Sequence, residues 1–242
     1  MIDIHNHILP GLDDGAKTIE DALLLLHLAV EDSVTHLVCT PHIHPGRYNN
    51  TLSVISKAFG EFCRLPEVKR LPIKLAMAAE VRLSDEILLL HRQNQLPYIG
   101  EWRGSKVLLL ELPHDRLPMG LISLMNWMKQ QGITPLIAHP ERNRELMRRP
   151  EMAIQLSEQG ALFQATAAST TGQFGDNAKT LSHWLLERNL VDFVASDAHH
   201  PVNRPSSMMN AYEVLSTTYG HSVAETLCRE NPALLTHTLF NG

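Results

Sequence analysis

Seven times along this chain a short apolar run gives way to a stretch with helical spacing, and that alternation most constrains the fold. The runs cover 2–4, 37–40, 73–78, 106–110, 134–138, 161–165 and 191–195. Short apolar strands that alternate with helices predict parallel βαβ units and an α/β fold. The intervening segments carry helix signals of their own. Thr18 stands three residues before Asp21 in the capping-box pattern, and Ile19, Ala22, Leu23, Leu26, Ala29 and Val30 then recur on one helical face. Further helices are expected over 52–64, 84–93, 117–131, 177–188 and from 205 almost to the end, with a polar, arginine-rich helix running from 140 to 159.

If such a sheet closes into a barrel, the C-terminal ends of its strands meet on one face, where the sites of barrels lie. The residues just past each run are His5 and His7, then His42, Glu80, Glu111, His139, Thr166, and Asp197 with His199. Six of the seven runs therefore hand an imidazole or a carboxylate to the same rim. The turn after His7 adds Asp13 and Asp14, of which Asp14 is taken as the ligand. His5 and His7 are two apart, which in extended chain points both rings the same way.

Five imidazoles (His5, His7, His42, His139, His199) and four carboxylates (Asp14, Glu80, Glu111, Asp197) are too many donors for one tetrahedral ion. They suit two or three divalent ions, and the absence of sulfur favours manganese, iron or zinc. Clustered ions bring the pKa of bound water toward ~7 and clamp attacking and leaving oxygens, the chemistry of phosphate ester hydrolysis. Glu80 is the expected bridge between two ions. Asp197 joins it with His5 and His7, while Asp14 serves another ion with His42 and His199. Arg142 and Arg204 stand three and five residues past His139 and His199, within reach of a bidentate phosphate contact. Arg144, Arg148 and Arg149 read as a solvated helix face. His44 and His200, beside ligand positions, are candidates for supporting or substrate contacts.

Composition closes other routes. The chain has 242 residues, 44% apolar and 19% charged, enough for a substantial core in one domain spanning 1–242. A net charge of −5 argues against a nucleic-acid or anionic-membrane surface. Cys39, Cys63 and Cys228 are followed six residues later by Pro45, Lys69 and Leu234, so no thiolate phosphatase loop with its arginine is present. Their odd number and wide spacing indicate neither a disulfide framework nor a thiolate zinc site. The glycines between Gly11 and Thr18 miss the P-loop pattern, because Ala16 separates Gly15 from Lys17. With no leader pattern and no long apolar run, a cytoplasmic protein is expected.

Several short motifs occur in order. They are the opening Asp3-Ile4-His5-Asn6-His7 with Asp13-Asp14-Gly15, then Thr40-Pro41-His42 and Ala79-Glu80. Glu111-Leu112-Pro113, Ala138-His139-Pro140-Glu141-Arg142, Ser196-Asp197-Ala198-His199 and Asn203-Arg204-Pro205 follow. Together they resemble the bacterial PHP-type protein-tyrosine phosphatases of the CpsB/CapC kind, over residues 1 to about 205. The resemblance implies a distorted (β/α)7 TIM-like barrel and a centre of three divalent ions, typically manganese. It implies action on phosphotyrosine in the tyrosine-rich tail of a bacterial kinase that controls capsule or exopolysaccharide synthesis. It implies His5, His7, Asp14, His42, Glu80, Glu111, His139, Asp197 and His199 as ligands, with Arg142 and Arg204 as the phosphate-binding pair. Ile43 and the His200-Pro201 pair depart from the family pattern without touching a ligand. Two alternatives share these residues: a PHP-type hydrolase of a small phosphomonoester such as histidinol phosphate, and a non-catalytic regulator that binds a phosphopeptide.

Overall fold

A computed structural model describes residues 1–240. Its strands are β1 (Ile2–Asp3), β2 (His36–Cys39), β3 (His42–Ile43), β4 (Lys74–Met77), β5 (Glu80–Arg82), β6 (Gly100–Trp102), β7 (Ser105–Glu111), β8 (Ile133–Ala138), β9 (Leu162–Thr166) and β10 (Phe193–Ala195). One ladder runs β1-β2-β4 and another runs β10-β9-β8-β7-β5-β3, all parallel, with β6 pairing antiparallel on β7.

The two ladders are parts of one barrel. Cys39 pairs with Met77 and His42 with Glu80, so the register is the same on both sides of the interruption. Backbone bonds from Ala78 N–H to Cys39 O (2.9 Å) and from Glu80 N–H to Pro41 O (3.2 Å) carry the ladder across it. Pro41 has no N–H to give, which accounts for the local break in β2–β3. Closure comes from a parallel bridge between Asn6 and Ala198, with Asp197 N–H donating to His5 O (2.7 Å) and His7 N–H to Ala198 O (2.8 Å). Seven strand paths thus form a distorted α/β barrel.

Side-chain alternation divides the core. Val107 and Leu109 of β7 pack inside the barrel with Ile4, Val38, Leu136 and Phe193. Leu108 and Leu110, one residue out of phase, face the surrounding helices. Deleting the Leu109 side chain, with no exposed surface, would cost about 2–5 kcal/mol. The outer helices include Ile19–Glu31, Leu52–Arg64, Leu121–Gln130, Glu151–Glu158, Asp176–Glu187 and Met208–Tyr219. The first starts with the expected capping box: Thr18 Oγ1 accepts from Asp21 N–H (3.2 Å) and Asp21 accepts from Thr18 N–H (3.3 Å).

Several elements differ from expectation. The single helix over 140–159 is broken into Pro140–Arg142, Arg144–Arg148 and Glu151–Glu158, the last break falling at Pro150. The helix expected over 84–93 is Glu86–Arg92, which follows Asp85 without a side-chain cap bond. The β6–β7 hairpin has no separate apolar run to announce it. Its Gly100 (φ 140°) lies so close to the helix Asn231–Phe240 that a Cβ there would sit 1.9 Å from Leu235 O. That helix packs Leu235 into the barrel interior, leaving the opposite rim for the site.

Candidate metal centre

All nine candidate ligands converge at the C-terminal rim. His5 Nε2 and His7 Nε2 lie 3.3 Å apart. Each is within 3.3–3.4 Å of Glu80 Oε2 and 3.4 Å of Asp197 Oδ1. This is the grouping expected for the first ion. Asp14 Oδ1 stands 3.4 Å from His42 Nε2 and 3.8 Å from His199 Nε2, the second expected grouping. His42 turns its other nitrogen toward Glu80 Oε2 (3.0 Å) and Glu111 Oε2 (3.7 Å). His139 Nε2 contacts Glu80 Oε1 at 2.8 Å. Glu80 therefore touches four imidazoles, a position suited to a carboxylate bridge. Four sets of these residues bring donor atoms close enough together to hold a cation: His7 with Asp14, His42 and His199; His5 with His7 and Glu80; His5 with His139 and Asp197; and His42 with Glu80 and Glu111.

Supporting contacts that spacing does not reveal fix these rings. Asp13, the partner not chosen from the Asp13-Asp14 pair, is buried and accepts from His7 Nδ1–H (2.7 Å), His42 N–H (2.8 Å) and Gly15 N–H (2.9 Å). Its neighbour Asp14 remains 41% exposed at the mouth. The turn works only with glycine at 15, because a Cβ there would lie 2.0 Å from His7 O. Gln164 of β9 accepts at Oε1 from His5 Nδ1–H (2.7 Å). Both contacts leave the Nε2 atoms of His5 and His7 free to face the centre, the usual way a partner sets an imidazole tautomer. Below them Asp3 accepts from Ser196 N–H (2.9 Å), Ser196 Oγ–H (2.6 Å) and Asn6 Nδ2–H (3.3 Å), tying the two closing strands together. His139 (φ 36°) and Asp197 (φ 51°) both occupy left-handed backbone, a costly conformation for non-glycine residues that concentrates at functional sites.

Arg142 and Arg204 meet over the same oxygen. Arg142 Nη1 is 2.5 Å from Asp197 Oδ2, and Arg204 Nη2 ion-pairs with it as well. Both guanidiniums also lie over the Phe174 ring, 4.8 Å and 5.2 Å from its centroid. Arg47 and His114, which sequence reasoning passed over, also line the mouth, as does His44. His200 instead accepts at Nδ1 from Val202 N–H (3.1 Å) and Asn203 N–H (3.2 Å), building the turn that carries Arg204.

Burial and charge compete at every group. Burial would raise the Asp197 carboxyl, yet Arg204, His5 and His199 hold it well below the usual carboxylate range. Burial likewise works against the Glu80 carboxylate, and His5 and His42 overcome it. Glu111 goes the other way, pushed up to about 6 by burial and by Glu80. Burial and Arg142 bring His139 down to about 4, leaving its imidazole neutral at neutral pH, as a ligand requires. His7 rises despite its burial, because Asp13 favours its charged form.

Four buried atoms, His42 Nδ1, Glu80 Oε2, Glu111 Oε2 and Asp197 Oδ1, find no hydrogen-bond partner among the described residues. All four belong to residues lining one pocket, where they face one another and neighbouring imidazole nitrogens at 3.0–3.7 Å without completing a hydrogen bond. An all-nitrogen-and-oxygen donor set with orphaned lone pairs turned inward fits divalent cations.

A sequence profile of the family described as "Capsular polysaccharide synthesis, CpsB/CapC" matches residues 1–237. The chain belongs to the CpsB/CapC family. Within it, CapC of Staphylococcus aureus is 34% identical over 237 residues, 98% of this chain and 92% of that protein. The tyrosine-protein phosphatase YwqE of Bacillus subtilis (strain 168) is 34% identical over 97% of this chain and 91% of its own. A solved structure from work on YwqE and Streptococcus pneumoniae CpsB, described as metal-dependent tyrosine phosphatases, superposes with a TM-score of 0.90. At 34% identity it covers 98% of this chain and 94% of that one.

Proposed function

We propose that this CpsB/CapC family chain is a metal-dependent phosphatase acting on phosphotyrosine in proteins, with one catalytic domain over residues 1–242. The observation that carries the reading is the set of four unsatisfied ligand atoms beside two arginines that share Asp197. The names of the 34% identical relatives support the phosphotyrosine substrate. The family's description supports a role in capsule synthesis, and the partner proposed there is the phosphorylated tyrosine-rich tail of a bacterial kinase.

The proposed ligands are His5, His7, Asp14, His42, Glu80, Glu111, His139, Asp197 and His199. Three divalent ions, manganese first with iron or zinc as alternatives, suit their number. When bound, such ions neutralise phosphate charge and acidify water for attack at neutral pH. The residues of the chain do the rest. Arg142 and Arg204 donate to the equatorial phosphoryl oxygens, their direction set by Asp197 on one side and the Phe174 ring on the other. Asp13 and Gln164 hold His7 and His5 in one tautomer through the reaction. A phenolate with a parent pKa near ~10 leaves without a strong acid. The thiols are poor nucleophiles: burial raises all three, Cys228 to about 12.

Manganese-loaded protein should turn over a phosphotyrosine peptide faster than histidinol phosphate in a side-by-side assay. Arg142→Ala and Arg204→Ala should each lower that turnover about 100-fold. A protein that binds manganese and a phosphotyrosine peptide but releases no phosphate would refute the enzymatic reading.

A further inference from the structure

A second, open cleft adjoins the phosphate pocket, and Arg142 lines both. Its other walls include Arg144, Met147, Arg148, Phe174 and Asp176, around a volume of about 520 Å³, larger than any single side chain. Phe174 stands between the two spaces, stacked under the guanidiniums of Arg142 and Arg204 on one side.

The local fold puts the arginines there. Asn143 accepts from Glu145 N–H and Leu146 N–H (both 3.0 Å) and donates to Pro113 O (2.7 Å), while Arg144 N–H donates to His114 O (2.7 Å). The turn is thereby anchored to the loop after β7. Arg144 and Arg148 then stand four apart on one face of the helix Arg144–Arg148. Neighbouring Arg149 is neutralised by Glu145 (3.7 Å) and Glu151 (3.6 Å). No ion pair among the described residues involves Arg144 or Arg148. Arg142 is already paired with Asp197, so against Arg144 and Arg148 the cleft sets only the Asp176 carboxylate, a local excess of positive charge in a chain whose net charge is −5. Both arginines are exposed, as expected of a solvated helix face, and their charge is what that face presents to the cleft.

We propose that this cleft is a substrate subsite that receives an acidic side chain flanking the phosphotyrosine. The proposal rests on the phosphatase reading above. Arg144 and Arg148 pair with the carboxylate, and Met147 and Phe174 cover its methylenes. Arg142, common to both spaces, holds the phosphate next to it.

The experiment compares three substrates of the metal-loaded protein: one phosphotyrosine peptide flanked by glutamates, the same peptide flanked by lysines, and p-nitrophenyl phosphate, too small to reach the cleft. The glutamate peptide should exceed the lysine peptide about tenfold in kcat/KM at low ionic strength, mainly through KM. The ratio should shrink toward 1 near 0.5 M salt. In the double variant Arg144→Gln/Arg148→Gln it should fall below about threefold, and Arg144→Gln alone should fall between. A wild-type ratio near 1, or a ratio unchanged in the double variant, overturns the subsite while turnover of p-nitrophenyl phosphate leaves the phosphatase reading standing. No turnover of any of the three overturns both.

Discussion

Two groups of buried polar side chains sit at the rim of this barrel, and they are satisfied in opposite ways. Asp3 is fully inside, and both its oxygens are occupied by donors from Ser196, His5 and Asn6. Gln164 spends its oxygen on His5 and its amide on Ala165 O (2.9 Å). Glu80, Asp197, Glu111 and His42, also buried, each keep one atom without a hydrogen-bond partner. Bonds of the first kind close the barrel. The second kind stores an unmet demand that a cation can fill. Neither burial nor a single orphaned atom marks function, since Asn6 and Ser216 also keep one; four of them converging on one pocket do.

The comparison breaks most visibly at Glu80. Glu80→Gln should lower phosphotyrosine turnover about 1,000-fold and deplete bound metal, measured by elemental analysis. Melting of the metal-free variant should move less than melting of the metal-loaded one. Equal losses in both states would make Glu80 a structural residue like Asp3.

Asp3→Ala should destabilise the metal-free protein by about 3 kcal/mol in urea unfolding, because it strands the donors of Ser196 and Asn6. A normal urea midpoint would show that closure does not depend on this carboxylate.

Asp13→Asn should weaken metal binding 10- to 100-fold, about the loss typical of groups that orient a ligand, with the fold retained. Calorimetric titration of the variant against Asp14→Asn would separate an orienting carboxylate from a coordinating one.

Protons and metal compete for Glu111, raised to about 6 by burial and Glu80. Manganese affinity should therefore drop about tenfold per pH unit below pH 6, with protons released on binding there. In Glu111→Gln the Glu111 share of that release should be lost, leaving the share of His7, whose charged form Asp13 favours.

The smallest effect belongs to Asp192, at the other end of β10, which burial raises from 3.8 to about 6 despite a bond from Phe163 N–H (2.9 Å). A raised carboxyl contributes its stability below the unfolded value of 3.8 and loses it as pH rises through about 6. Asp192→Asn should thus match the parent near pH 4 and melt higher at pH 7.5, by about 1 kcal/mol. Thermal scans at the two pH values decide it.

What the sequence could not show follows from what local spacing omits. Asp13 and Asp14 are adjacent and chemically alike, and only the tight turn against Gly15 sends one inward to His7 and leaves the other at the mouth. Gln164 gives no signal in its strand, since its role depends on His5 in a strand distant in sequence. Phe174 lies in a loop whose relation to Arg142 and Arg204 no periodicity encodes. The β6–β7 hairpin became legible only through its contact with the C-terminal helix at Leu235.

The sequence by itself determined the alternation of strand and helix, and with it which residues arrive at the rim: His5 and His7, His42, Glu80, Glu111, His139, Asp197 and His199. A strand's end is a local property, fixed by where an apolar run stops. The tertiary structure alone decided which of those residues face one another, which are held by Asp13 and Gln164, and which keep an unpaired atom. Those are long-range relations, set when Asn6 meets Ala198 and the barrel closes.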